Sequence, residues 1–183
     1  MSRVMEAWEQ VLRDAVSSDY DEQQFALLQI GMVLQRHNPH ISMEVGAEED
    51  ALSRELMRLS LNEQRQSDTI QYLVTLVRNH PKNADTFLYA LSNAQAKLLA
   101  EPLIELMLDL GKKFSTDATF QSLMALDGVV KQADEAIIAT LTEHDLVPLL
   151  DDWSENGDSL IANKADVLAD KIIDLTDDDE DET

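Results

Sequence analysis

The chain has 183 residues, 36 acidic and 14 basic side chains, no cysteine, and a formal net charge of −22. Apolar residues make up 44% of it, which is enough for a hydrophobic core and excludes an intrinsically disordered chain. The lack of cysteine excludes disulfides, thiolate metal sites and cysteine nucleophiles. No stretch has the pattern of a signal peptide or a membrane span, so we expect a cytoplasmic protein that does not bind membranes.

The negative charge is concentrated toward the C-terminus. Residues 133–183 contain two lysines and 17 acids, so they carry −15 of the total −22. This field repels phosphate polyanions, and we therefore expect no direct binding to nucleic acid. The final acids follow the last apolar residues, and their mutual repulsion predicts a disordered acidic tail over 176–183. The preceding residues, 1–175, are expected to form a single helical domain.

Apolar residues recur at helical spacing along nearly the whole chain, beginning with Val4, Trp8 and Val11. The runs FALLQIGMVL (25–34) and LIELMLDL (103–110) are apolar nearly all round, so both predict central helices, with Leu28 and Met107 in the core. No segment alternates like a strand. We predict an all-α fold of about ten helices, the others being near 52–59, 69–79, 84–99, 117–131, 133–142, 146–155 and 158–174.

Two weak internal similarities indicate a repeat. Residues 30–39 align with 72–81 in their apolar positions and final proline, and segments 21–28, 83–90 and 116–123 each place Phe four residues after an opening polar residue. This pattern resembles the HEAT and armadillo families, which implies an irregular HEAT-like α-solenoid of stacked helix pairs. A compact multi-helix bundle is the alternative.

The spacing of three histidines could suit a metal site. His37 and His40 lie one helical turn apart, and the repeat alignment brings His80 to the same edge, where three imidazoles could bind zinc. Histidines at helix ends are also favoured simply by the terminal carbonyl groups. No cysteine and no di-iron E-x-x-H motif accompanies them. We therefore predict no metal and no cofactor.

A second arrangement of histidines resembles the HD-type metal-dependent phosphohydrolases, which are all-helical. His80, the pair His144 and Asp145, and a later acid such as Asp166 follow the order of ligands in that family. Asp145 is equally explained as a helix cap with Pro148 in the first turn. Phosphate loops and serine nucleophile elbows are absent from the sequence, so we predict that the protein is not an enzyme.

The acids before the tail belong to short helices and their caps, and so form a fixed anionic surface. Trp153 lies among them and could be an aromatic anchor, although its spacing from Leu149 and Leu150 also suits core packing. We predict a non-enzymatic binding or inhibitor protein that recognises a basic protein partner. The predicted partner-binding residues are Asp134, Glu135, Glu143, Asp145, Asp151, Asp152, Trp153, Glu155 and Asp158.

Small acidic helical proteins of this kind are similar to the immunity proteins that neutralise bacterial toxins, particularly nucleases with a cationic cleft. That similarity implies a basic nuclease or other toxin as the partner. The alternative from another class is a DNA-mimic decoy, whose carboxylates imitate phosphates and occupy a nucleic-acid-binding protein. An HD-type phosphohydrolase is the third possibility.

Overall fold

The computed structural model describes residues 3–34 and 63–177, and within these ranges the chain is helical without strands. This confirms the all-α prediction. None of the described helices is both long and apolar enough to cross a membrane. Short 3-10 turns at Pro81–Asn83 and Gly111–Lys113 follow the third and fifth of the nine described helices. The helices are α1 Arg3–Asp14, α2 Tyr20–Leu34, α3 Glu63–Asn79, α4 Ala84–Leu91, α5 Ala96–Leu110, α6 Thr116–Lys131, α7 Glu135–Glu143, α8 Val147–Asn156 and α9 Ser159–Asp177.

The helices pack in two rows. Helix α4 lies between α2 and α6 in one row, and α5 lies between α3 and α7 in the other. The rows contact each other where α3 meets α4 and where α5 meets α6. Helix α9 closes the C-terminal end by packing against α6, α7 and, most extensively, α8. The contacts of α2 with α4, α3 with α5, α4 with α6 and α5 with α7 suit both a solenoid and a bundle, so the family resemblance stays a prediction.

The core runs along the boundary between the two rows. Phe87 of α4 and Leu103, Ile104 and Met107 of α5 are completely shielded from solvent. The prediction that α5 is a central helix with Met107 in the core is therefore confirmed. Its apolar residues spread widely around the helix because α3, α6 and α7 all pack on it.

The equivalent prediction for α2 is wrong. The side chain of Leu28 is 63% exposed and Phe25 is also exposed, whereas Ala26, Ile30 and Leu34 are buried. The physical reason is the direction of the side chains: at 100° per residue Phe25 and Leu28 lie on a different side of α2 from the buried residues, and α1, α3 and α4 pack on this helix. The Phe residues of the three similar segments consequently differ, with Phe25 exposed and Phe87 buried.

Two predicted details of the middle of the chain also need correction. The single helix expected over 84–99 is divided, because the hydroxyl of Ser92 and the amide of Asn93 donate to carbonyl oxygens of the preceding turn. Gln95 is extended, and α5 begins after it. The sequence also predicts Pro102 in the early turn of a helix, where no amide hydrogen is required, but it lies in the interior of α5.

Several predictions fall on residues outside the described ranges. These are the histidines His37 and His40, the helix near 52–59, and residues 178–183 of the acidic tail. Thr176 and Asp177, which were expected in the tail, belong to α9.

Candidate acidic partner-binding face

Three of the predicted acids lie at helix starts, where their carboxylates bind backbone amides. Oδ1 of Asp134 accepts from the N–H of Ile137 at 2.9 Å, and Oδ1 of Asp158 accepts from the N–H of Ile161 at 3.0 Å. Oδ1 of Asp145 accepts from the amide two residues later at 3.1 Å. The cap role is confirmed at α7 and α9, but the prediction that Asp145 caps α8 is wrong, because the N-cap is Leu146 and Asp145 forms a turn just before it. These hydrogen bonds fix the carboxylates at the helix starts.

The other predicted acids lie on α7 and α8. Glu135 and Glu143 are exposed at opposite ends of α7, and Asp151 and Glu155 are exposed one turn apart on α8. Asp152 is partly buried, and its Oδ1 accepts from the side-chain amide of an asparagine one turn later at 3.0 Å. The predicted acids are thus distributed over the corner that contains α7, α8 and the start of α9.

Trp153 is not available as the anchor of this surface. It is only 7% exposed and belongs to the core. It packs with Leu149 against Gly111, where a Cβ atom would lie 2.9 Å from Leu149 Cδ2 and 3.1 Å from Trp153 Cζ2. The absence of a side chain at Gly111 therefore lets α8 approach the turn after α5. The core-packing interpretation of Trp153 is confirmed.

The structure reveals a row of exposed acids on α9 that are not among the predicted partner-binding residues. Asp166, Asp170 and Asp174 recur every four residues and are exposed. Leu160 and Val167 are 62% and 51% exposed, and at 100° per residue they lie within about 20° of each other, beside Asp170 and Asp174. We call these five residues the α9 face. The four-residue spacing of its acids was the available signal.

The two lysines of the C-terminal region are directed at a single carboxylate. Lys131 Nζ lies 2.9 Å from Oδ2 of Asp127, Lys164 Nζ lies 4.0 Å from the same oxygen, and Lys171 Nζ lies 3.9 Å from Oδ1. Partial burial alone would raise the pKa of Asp127, but the Lys131 hydrogen bond and the three positive charges together hold it below its usual value. These contacts tie α9 to α6 and place both lysines at that junction.

The described histidines occupy different places. The ring of His80 meets that of Phe87 edge-on, with centroids 6.4 Å apart. His144 lies after α7, beside Glu101 and Glu105 of α5. Within 3–34 and 63–177, this is the only group of three potential ligands whose donor atoms lie within 4.8 Å of one another. The set predicted from the HD-type pattern, which combined His144 with His80, is therefore not assembled.

Two cavities in the described part of the chain could hold a small molecule. One of about 450 Å³ lies at the start of α5 and is lined by residues that include Gln95, Gly128 and Asp134, with no histidine. The other, of about 330 Å³, is lined by residues that include Tyr20 and His80. Neither cavity brings two histidines together, as the HD-type arrangement requires.

Fold, charge and geometry together define an acidic helical protein with a mixed acidic and apolar outer surface on its last helix. Comparisons with protein-family models, with curated proteins and with solved structures found no match. Function is therefore inferred from the surface itself.

Proposed function

We propose that this is a non-enzymatic cytoplasmic binding protein that inhibits a basic protein partner, in the manner of toxin-immunity proteins. The acidic C-terminal surface of α7, α8 and α9 is the proposed contact. A partner rich in lysine and arginine, such as a nuclease with a cationic cleft, has the complementary charge.

The observation that carries this proposal is the α9 face. Its acids are presented at fixed spacing on a helix whose opposite side is buried, so their field has a defined direction. Leu160 and Val167 add apolar surface that a partner could desolvate, which Trp153 cannot provide from the core. Lys164 and Lys171 border this face, and their Nζ atoms lie 4.0 and 3.9 Å from carboxylate oxygens of Asp127 at the junction with α6.

The proposal is tested by isolating a partner with the full chain as bait and then measuring association kinetics. Reversing Asp151, Asp170 and Asp174 to Lys should reduce the association rate constant at least about ten-fold at low ionic strength. Raising NaCl from about 50 mM to about 300 mM should reduce the wild-type rate similarly, because exposed charges are screened within about 8 Å at physiological salt. The dissociation rate should change much less.

The matched control reverses the same number of acids at the other end of the molecule. Glu9, Asp14 and Asp21 lie on α1 and α2, so their reversal to Lys changes the net charge equally without altering the proposed surface. Association should then slow far less. Equal losses with both variants, or salt-independent association, would show that the C-terminal acids serve only solvation.

A DNA-mimic decoy is the second candidate, because the acids of α9 are regular. Residues four apart on a helix advance about 6 Å along its axis, which gives an ordered row of charges. A mimic must compete with duplex DNA for its partner and should depend little on apolar contacts. Replacing Leu160 and Val167 by Ser separates the candidates: an anchored inhibitor loses affinity about ten-fold or more, whereas a mimic keeps it.

A further inference from the structure

A cluster of three potential metal ligands borders the acidic partner-binding face. Glu101 and Glu105 are one turn apart on α5, and His144 is the residue that ends α7. One carboxylate oxygen from each glutamate and one imidazole nitrogen all lie within 4.8 Å of one another. Both glutamates are exposed, and His144 is half-buried.

The convergence follows from packing between two helices. Helix α5 buries Leu103 and Ile104, which leaves Glu101 and Glu105 on its outer side. Helix α7 packs on α5, and it ends where the N–H of His144 donates to a carbonyl oxygen in the last turn at 3.0 Å. The backbone on both sides of the cluster is therefore set by regular structure, independently of any ligand.

The cluster combines two carboxylates with an imidazole. Two carboxylates one turn apart on a helix repel each other. A donor nitrogen of His144 lies within 4.8 Å of an oxygen from each of them. In a chain of net charge −22, a bound cation would remove this repulsion.

The chemistry of the donors indicates which cation. Carboxylates alone would suit Mg²⁺ or Ca²⁺, whereas an imidazole nitrogen favours zinc and neighbouring transition metals. One nitrogen and two oxygens from the protein leave a position for water, as in open zinc sites. Coordination at about 2.0–2.2 Å requires the donors to approach more closely than they do here, which exposed glutamate side chains can do by rotation.

We propose that Glu101, Glu105 and His144 form a binding site for a divalent transition metal ion, with Zn²⁺ preferred over Mg²⁺ and Ca²⁺. The ion bridges α5 and the end of α7. The site uses none of the acids assigned to the partner-binding face, although His144 lies between two of them, Glu143 and Asp145.

The test is calorimetric titration of the full chain with ZnCl2, in physiological salt and excess MgCl2 so that general attraction of cations to an acidic protein is already satisfied. Wild-type protein should bind Zn²⁺ despite the Mg²⁺. Replacing His144 with Ala should weaken Zn²⁺ binding at this site at least about ten-fold, and Glu105→Gln, which keeps the shape of the side chain, should do the same. Circular dichroism confirms that each variant is folded.

The controls remove an equivalent group elsewhere. His80→Ala removes an imidazole and Glu135→Gln removes an exposed negative charge, and both should retain wild-type affinity. Co²⁺ provides a second readout, because loss of its visible absorption in H144A identifies the imidazole as a ligand. Absence of Zn²⁺ binding, equal affinity of H144A and wild type, or equal displacement by Mg²⁺ would overturn the proposal.

Discussion

Three lysine side chains lie near the carboxylate of Asp127, more than lie near any other acid of the described residues. Its carboxylate is 15% exposed and is surrounded by lysines from α6 and α9, so the interaction is screened less than an ordinary surface ion pair. From the sequence alone, Lys164 and Lys171 are simply the two basic residues of an acidic segment. Their shared partner could not be predicted, because it depends on how α9 crosses α6.

Replacing Asp127 with Asn should lower the free energy of unfolding by about 1–2 kcal/mol at pH 7, because a charge-assisted hydrogen bond and two longer-range attractions are lost. The folded-state pKa of Asp127 is lowered, so its contribution is present above the unfolded pKa of about 3.9. The contribution disappears as the pH falls through the lower folded value. The difference between wild type and D127N should therefore shrink on acidification below about pH 4.

Urea denaturation of both proteins between neutral and acidic pH measures this difference. Asp166→Asn is the matched control, because this acid is exposed on α9 outside the lysine cluster, and it should change stability by less than about 0.5 kcal/mol. A D127N effect that persists undiminished at acidic pH would mean that the charge of Asp127 does not stabilise the junction.

At the scale of the helix, periodicity predicted where most elements lie but not which of them are enclosed. Both α2 and α5 are apolar nearly all round, and the sequence assigns both to the centre. Three described helices pack on each of them, yet the side of α2 that carries Phe25 and Leu28 is exposed. Enclosure is a tertiary property, so composition within a helix cannot supply it.

This contrast gives a paired prediction. Met107→Ala removes a fully buried side chain and should cost about 2–5 kcal/mol of unfolding free energy. Leu28→Ala removes an exposed one and should lie within about 0.5 kcal/mol of wild type. Chemical denaturation of the two variants provides the measurement. A large loss at Leu28 would show that this side of α2 is covered in solution.

Local chemistry near element ends was partly predictable. The acids before the tail were expected on short helices and their caps, and Asp134 and Asp158 do accept from backbone amides in the first turns of α7 and α9. The break at Ser92 and Asn93 was missed, because the apolar pattern continues across it and polar side chains that bond their own helix give only a weak signal.

At the scale of the whole molecule, the net charge could be predicted from the sequence, but the surface on which the acidic side chains lie could not. The sequence places the excess acid in the last third of the chain, and the described acids of that region lie on α7, α8 and α9 and at their starts. Trp153 was weighed as an anchor because it lies among acids, yet its helix turns it into the core. The exposed apolar residues of the α9 face emerge only once the buried side of that helix is known.

Truncation after Asp177 tests whether the acidic residues 178–183 affect the stability of the folded protein. It retains all of α9, including Thr176, whose hydroxyl donates to the carbonyl oxygen of Ile172 at 2.8 Å. The six residues removed, DDEDET, contain five acids and no apolar side chain. They therefore offer no hydrophobic stabilisation, while their negative charge repels that of the remaining domain.

The melting temperature of the truncated protein should equal that of wild type or rise slightly, and any rise should disappear in high salt because repulsion is screened. Truncation after Leu168 is the contrasting control. It removes the buried side chain of Ile172 and the packed Leu175, so it should lower the melting temperature by several degrees. A comparable decrease after Asp177 would contradict the prediction, because it would require the acidic residues to make stabilising contacts with the domain.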